Sequence, residues 1–510
     1  MHIIKNSMEF GREDMSSICG IIAPMASVGC REELVNLSRS VKDKKIYENF
    51  NKNDVYIGLC SQRNKNDAES IIYKGVRYSY SFCGELYNKA ALAEKIKAEL
   101  GYSPIEELND GIIAVWCYIL WGGFSPKMLK GKFAFAIYSE GIFATSGHTP
   151  RVFIAKDRFG FIPIYYYQNS HGVIYFSSDI HSMLKIKGMR RDVSFSGLWQ
   201  IFYLEGMTLP QKTIFEGIEQ LEAGSCAYID CRGKSKILKK CYDNPRLYKI
   251  SPEVTLDGII ENSFCEKGIN KNDSTFEFTF PADSVDMLNE SLKATLLPIN
   301  PTFYASISRL DRGKTHISSI GRELIFSQNL PCMRGFFSWI SDPYKNIDLL
   351  NSKRLRLYDG FDFINSERLR AIDSESDKYE LDSLYRFYLP MVLCGVEKIS
   401  ENLGVGVKYP YCDEDIVGYL YTKNQLPDSL NPAFSHQNKQ KSAKKSEFEA
   451  HIIDYLENTL SNSESVLNYV VDKEKFRLCI SRGEFHESLI LLYSLHFLFE
   501  EFNLNLNIKA

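Results

Sequence analysis

The chain reads IAKDRFGFIPIYY over residues 154–166. Apolar residues lead into a charged corner at residues 156–158, and Gly160 then favours a turn because glycine readily adopts positive φ. The chain returns to an apolar run after Pro163, whose isoleucine and tyrosine residues favour a strand. The stretch therefore predicts two strands joined by a charged corner, whose side chains we expect to serve structure rather than catalysis.

Further blocks with strand character flank this corner. Residues 129–138 read LKGKFAFAIY, with apolar residues on both faces, and residues 174–180 read IYFSSDI. Turn residues separate the predicted strands, which are Ser79–Leu86, Phe133–Tyr138, Val152–Ala155, Ile164–Tyr167 and Val173–Ser177. Asn88–Leu100 and Gly111–Trp121 have the spacing of helices, which we expect to cover the sheets.

In order and spacing, these blocks resemble the glutaminase half of the glutamine-dependent asparagine synthetase family. That family joins a class II, N-terminal-nucleophile glutamine amidotransferase domain to an asparagine synthase domain. The resemblance implies an α+β first domain over residues 19–240, built as an αββα sandwich, after a leader or propeptide at residues 1–18. It also implies a degenerate second domain over residues 250–510, a shortened α/β unit that is largely helical.

Composition excludes several other classes of protein. The 510 residues are 44% hydrophobic, and the formal net charge is −3. Non-specific nucleic-acid binding depends on clustered Lys and Arg, so we expect no nucleic-acid partner. The 13 cysteines include no CxxC pair, so neither a bound metal nor a disulfide framework is expected. The sequence shows no secretory signal and no membrane-spanning apolar run, which predicts a cytoplasmic protein without a membrane partner.

The resemblance places Cys19 on the family's catalytic nucleophile, in the segment SICGII of residues 17–22. In that family the cysteine is N-terminal, and its free α-amine acts as general base for its own thiol. Here 18 residues precede Cys19, so the same role requires a cut between Ile18 and Cys19. The alternative is a buried structural cysteine at the start of a strand.

Glutamine is the donor substrate that the resemblance implies, and four further residues would surround it. Arg63 would hold its α-carboxylate, because a guanidinium pairs with a carboxylate through two hydrogen bonds. Glu85 and Asp110 would contact its amine, and the backbone N–H of Gly84 would stabilise the oxyanion. Cys83 replaces the family's oxyanion asparagine; a thiol is a weak donor, and losing one such donor costs roughly 10²- to 10³-fold in turnover.

ATP and Mg²⁺ are the cofactors that the family uses in its second half, where backbone N–H groups of a glycine-rich loop wrap pyrophosphate. The best match is TFPADSV at residues 279–285, which keeps Asp283 and Ser284 as nucleotide-binding positions. Phenylalanine and proline replace both glycines, which adds bulk and removes a backbone donor. Glu323 matches a later acidic motif. We therefore expect the ATP-dependent step to be impaired.

The implied reaction is glutamine hydrolysis that supplies ammonia to the ATP-activated side-chain carboxylate of aspartate. Three alternatives stay open: an amide-forming enzyme for a peptide or another small acid, a glutaminase alone, and a non-catalytic binding protein. Each is compatible with a homodimer or a partner protein. Family resemblance favours an enzyme, whereas the altered site residues favour the non-catalytic protein. Towards the end of the chain, Glu397-Lys398 stands where the family has Asp-Arg.

Overall fold

The computed structural model describes residues 17–23, 29–40, 44–50, 56–62, 70–105, 109–140, 151–204, 206–230, 236–241, 253–269, 275–276, 284–296, 301–322, 325, 347–371, 379–422, 447–485 and 487–506. Its strands are β1 (Ile18–Ala23), β2 (Lys44–Phe50), β3 (Tyr56–Gln62), β4 (Ile71–Tyr73), β5 (Val76–Leu86), β6 (Gly131–Glu140), β7 (Arg151–Lys156), β8 (Tyr165–Gln168), β9 (Ile174–Ser177), β10 (Asp192–Val193), β11 (Glu219–Gln220), β12 (Ser225–Asp230), β13 (Lys236–Lys240), β14 (Thr275–Phe276), β15 (Thr315–Ser318), β16 (Gly406–Lys408) and β17 (Asn505–Leu506).

The α-helices are α1 (Cys30–Leu37), α2 (Lys89–Leu100), α3 (Asp110–Trp121), α4 (Ser125–Met128), α5 (Ile180–Met183), α6 (Phe195–Tyr203), α7 (Leu256–Glu266), α8 (Val285–Thr295), α9 (Pro301–Ile307), α10 (Leu357–Ala371), α11 (Tyr379–Asp382), α12 (Leu389–Leu403), α13 (Glu414–Thr422), α14 (Glu447–Ser461), α15 (Leu467–Val470), α16 (Lys473–Ser481) and α17 (Glu487–Phe502). Both helices predicted before residue 125 are present. Asn88 and Asn109 are their N-cap residues, and the Asn109 side chain accepts a hydrogen bond from Ile112 N.

The first sheet has β1 in its interior. Its order among the described residues is β11-β8-β9-β1-β3-β2, and every pairing is antiparallel. All six residues of β1 are buried, as its apolar sequence ICGIIA requires of a strand covered on both faces. Cys19 lies opposite Cys60 on β3 and Ser177 on β9. The predicted nucleophile is thus held between two neighbouring strands.

The second sheet contains β7, which leads into the charged corner at residues 156–158, whereas β8, which follows the corner, belongs to the first sheet. The order of the second sheet among the described residues is β13-β12-β7-β6-β5-β4, again antiparallel throughout. Alternate residues of β5 enter different cores. Cys83 packs in a core that also contains Cys19 from the first sheet, whereas Phe82 packs in another core with helices α2 and α3. The second sheet is therefore buried on both faces.

The C-terminal part is mostly helical. Its small sheet, β14-β15-β16, is parallel, and β17 returns to pair with β10 of the first half. Ring contacts join the halves: Phe159 lies 5.7 Å from Tyr385, and Phe161 lies 4.9 Å from Tyr409, between centroids. Antiparallel sheets followed by a helical part confirm the general prediction of fold class.

None of the helices among the described residues combines the length and apolar character that crossing a bilayer would require. The sequence also suggests a linker around Cys241–Lys249, which lies outside the described residues except for Cys241.

Candidate functional site

Cys19 is completely buried in the interior strand of the first sheet. The residue before it is held as firmly as the strand itself. Ile18 N donates to Ser178 Oγ at 3.0 Å, and Ile18 O accepts from Ser178 N at 2.9 Å. In the uncut chain the nitrogen of Cys19 is therefore an amide inside a continuous strand, and an amide nitrogen cannot act as a base.

Gly84 adopts a backbone conformation that side chains disfavour, with φ of +113°. A Cβ at this position would lie 2.0 Å from Lys132 O on β6 and 2.8 Å from Ile162 Cδ1. Glycine is thus required at this position because of its positive φ and because the neighbouring atoms leave no room for a Cβ. Its neighbour Cys83 is 1% exposed. The predicted oxyanion segment is a tightly packed irregular point in β5.

Asp110 and Glu85 lie near the same end of β5, but Asp110 already has partners. Its carboxylate accepts a hydrogen bond from Leu86 N at 3.0 Å and pairs with Lys89 Nζ at 3.4 Å. Burial raises the pKa of Asp110, and these two contacts oppose that rise. Glu85 is half-buried and lies opposite Lys132 in the strand register. The structure therefore brings Gly84, Glu85 and Asp110 to one strand end.

Four predicted positions have other outcomes. Arg63, Asp283 and Glu323 lie outside the described residues. Ser284 is the N-cap of α8, where its hydroxyl accepts a hydrogen bond from Met287 N at 3.2 Å. This contact gives Ser284 a structural role that any N-cap serine has. Among the described residues no group of three or more His, Cys, Asp or Glu side chains could hold a metal ion.

Asp157 has the structural role predicted for the charged corner. Its Oδ1 accepts from Phe159 N at 2.9 Å and Gly160 N at 2.7 Å, and its Oδ2 accepts from Phe133 N at 3.3 Å. Burial nevertheless raises its pKa to about 6, because these bonds and Lys156 offset only part of the desolvation. Asp157 therefore fixes the turn at Gly160 and ties it to β6.

Ion pairs connect the corner and both sheets to the C-terminal half. Arg158 contacts Glu414 at 3.4 Å, and Lys398 contacts Asp179 at 3.4 Å. A third pair joins the side chains of Lys132 and Glu397. We call the contact region between the two halves the seam. These three ion pairs cross it. Sequence reasoning missed the seam, although Glu397-Lys398 was recognised as a family position.

A small polar cavity lies at the seam, beside the start of β1. Ser17, Ser178, Lys398 and Glu401 line it, together with apolar residues of the segment after Gly160. The Ser17 hydroxyl is buried and makes no hydrogen bond within the described residues. Burial raises the pKa of Glu401 to about 7. The start of β1 thus faces a polar, titratable surface of helix α12.

Comparison with known proteins gives a domain match for most of the first half. Residues 63–242 match the glutamine amidotransferase domain. The chain is also 31% identical over 149 residues to "Asparagine synthetase [glutamine-hydrolyzing] 3" of Bacillus subtilis (strain 168), covering 29% of this chain and 23% of that protein. The resemblance inferred from the sequence is confirmed for this part of the chain.

A solved structure gives a weaker likeness. It is glutamine phosphoribosylpyrophosphate (PRPP) amidotransferase from B. subtilis, complexed with ADP and GMP. Sequence identity is 13%, coverage is 51% of this chain and 60% of that chain, and the TM-score of 0.31 does not establish a shared fold. The matched domain, residues 63–242, contains Gly84, Glu85 and Asp110, whereas Cys19 precedes it.

Proposed function

We propose that this chain is an asparagine synthetase-like glutamine amidotransferase whose first half hydrolyses glutamine after a cut between Ile18 and Cys19. The amidotransferase match over residues 63–242 is the observation that carries the proposal. The position of Cys19 on an interior strand, packed in one core with Cys83, supports it. The two antiparallel sheets and their flanking helices fit the αββα sandwich, which belongs to the same proposal.

The chemistry follows from the freed amine. An α-amino group has a pKa near 8, so at neutral pH a fraction is unprotonated and can take the proton of the Cys19 thiol. The thiolate attacks the side-chain amide carbon of glutamine, the C–N bond breaks, and ammonia leaves with that proton. Water then cleaves the glutamyl thioester and releases glutamate. The N–H of Gly84 would stabilise the oxyanion, and Glu85 and Asp110 would contact the substrate amine.

The acceptor reaction is a separate part of the proposal. The family reaction would pass ammonia to aspartate activated by ATP and Mg²⁺, in a cytoplasmic protein. The absence of glycine from the sequence of residues 279–285 and the capping role of Ser284 support an impaired ATP step. Since the chain covers only 23% of its curated relative, the acceptor is proposed on family grounds alone.

A non-catalytic binding protein is the second candidate. It is favoured by the paired backbone of Ile18, which makes Cys19 an internal strand residue, and by the thiol of Cys83 in place of an amide. The two candidates differ in whether the leader is removed. If the chain is a binding protein, the uncut chain has the same fold but does not hydrolyse glutamine.

Glutamate release by a chain that begins at Cys19 tests the proposal. A specific protease site placed directly before Cys19 would yield this chain from a purified precursor. We expect glutamate release from glutamine by the cut chain, and none by the uncut chain or by a cut Cys19→Ala variant. A folded, cut chain that releases no glutamate would contradict the glutaminase and favour the binding protein.

A further inference from the structure

A second, larger cavity lies at the seam and is separate from the surroundings of Gly84 and Asp110. Its wall includes Lys156 from the charged corner, Thr208 and Gln220 from the first half, and Met391 and Cys394 from helix α12. Both halves therefore contribute to one cavity. None of the residues that we assign to glutamine binding lines it.

Lys156 is the unusual member of this wall. It is 1% exposed, yet it makes no ion pair and no hydrogen bond with any residue that the structure describes. The position of its Nζ is clear: a Cβ added to Gly160 would lie 3.4 Å from it and 2.9 Å from Ala223, which also lines the cavity. The buried amine of Lys156 thus borders the cavity, and no described residue forms an ion pair or hydrogen bond with it.

Three other cations at the seam differ from Lys156 because each forms an ion pair with a carboxylate. Lys132, Lys398 and Arg158 each pair with a carboxylate of the seam. The carboxylate next to Lys156 in sequence belongs to Asp157, which accepts from backbone amides of the turn. Asp157 and Glu222 lie near enough to favour the charged form of Lys156, but burial outweighs them and lowers the pKa of Lys156.

We propose that this cavity binds a small monocarboxylate, whose carboxylate group pairs with the Lys156 ammonium. Among the described residues that line the cavity, Lys156 supplies one ammonium that is in no ion pair, which matches one negative charge and favours a monoanion over a dianion. The hydroxyl and amide groups of Thr208 and Gln220 would hydrogen-bond its polar atoms, and Met391 would contact an apolar remainder. Since both halves line the cavity, the ligand would also join them. The proposal does not depend on glutamine hydrolysis.

Butyrate is a suitable probe, with butyramide as its uncharged counterpart and sodium chloride as the control for ionic strength. Calorimetric titration and thermal unfolding would be measured on the full-length chain, a Lys156→Met variant and a Lys187→Met variant that removes an exposed lysine. We expect butyrate to bind the first and third proteins. Lys156→Met should weaken binding about 10- to 100-fold, the loss expected for a hydrogen bond to a charged group.

Proton uptake gives a second test that needs no variant. Binding of a carboxylate should protonate Lys156, so titrations at alkaline pH in two buffers of different ionisation enthalpy should show net proton uptake. The other titratable groups around Lys156 are Asp157, Tyr165, Glu222, Cys394 and Lys398. Equal binding by Lys156→Met, equal binding of butyramide, no binding to the unmodified chain, or binding without proton uptake would each overturn the proposal.

Discussion

At the scale of single residues, the charged corner shows what local sequence can and cannot reveal. The position of Asp157 in a charged corner at a strand end predicted a structural role, and its carboxylate accepts hydrogen bonds from backbone amides two to four residues later, which is a local arrangement. The partner of Arg158 is Glu414, which lies far along the chain. No periodicity or motif in the sequence connects these two positions. Local patterns therefore predicted the turn, and tertiary packing alone selected its ion pair.

Gly84 gives a residue-scale prediction about stability. Gly84→Ala should lower the free energy of unfolding by at least about 2 kcal/mol, because the added methyl would collide with Lys132 O in a strand that cannot move freely. Gly101→Ala is the matched control: it also has positive φ, at +76°, but has open space around it. Gly101→Ala should lower the free energy of unfolding by about 1 kcal/mol, which is the cost of the left-handed backbone conformation for a residue with a side chain. Equal losses in denaturant unfolding of the two variants would contradict this account.

At the scale of elements, helix α12 carries most of what the sequence did not reveal. Its Pro390 to Lys398 segment lines both cavities of the seam, and its Glu397 and Lys398 pair with the first half. The strand blocks were predictable because each has its own apolar pattern and turn residues. The docking of α12 was not, since a helix shows which face is apolar but not which sheet that face meets.

The ion pair between Lys398 and Asp179 can be tested by a double-mutant cycle. Lys398→Met should destabilise the fold by about 3 kcal/mol, because it leaves a nearly buried carboxylate without its cation. Adding Asp179→Asn to that variant should recover a large part of the loss. Unfolding in denaturant measures Lys398→Met, Asp179→Asn and the double variant. Additive losses, with no recovery in the double variant, would show that the two groups do not interact.

Glu401 gives a pH-dependent prediction for the same helix. Its folded pKa, near 7, is above the ordinary value of 4.5, so the folded state binds its proton more tightly than the unfolded state. Its contribution to stability is therefore complete below pH 4.5 and is lost as pH rises towards 7. Lys398, Glu397, Lys132 and Asp179 surround it.

Glu401→Gln isolates that contribution. Between pH 4.5 and 7, the free energy of unfolding of the variant should fall by about 1 to 2 kcal/mol less than that of the unmodified chain. This value is reduced because the side chain of Glu401 is partly exposed. Denaturant unfolding at a series of pH values gives both curves. Asp157 and Glu414 also have raised pKa values and remain in both proteins, so they cancel. If the stability of both proteins changed equally with pH, the contribution of Glu401 would be contradicted.

At the scale of the whole molecule, the two halves have different relations to the amidotransferase family. The first half contains the match to the glutamine amidotransferase domain over residues 63–242. The second half has a short parallel sheet and is joined to the first half by the seam, while its best match to the family's ATP loop lacks glycine. The first half could be predicted because its blocks are contiguous in sequence. The seam joins segments distant in sequence, and no single stretch encodes it.

The impaired ATP step is a prediction about the whole molecule. The cut chain, supplied with glutamine, ATP, Mg²⁺ and aspartate, should release glutamate without forming asparagine in step with it. The physical reason is that backbone N–H groups approach phosphates only where small residues allow it. Product analysis by chromatography provides the measurement. Asparagine and AMP formed at the rate of glutamate release would contradict this prediction.

Processing of the leader is the central requirement of the proposed glutaminase, because Ile18 is bonded within the strand and blocks the amine of Cys19. Intact-mass measurement of the mature chain tests it most directly. The account predicts a mass that corresponds to a chain beginning at Cys19. A mature chain that still carries Ile18 and the residues before it would contradict the account.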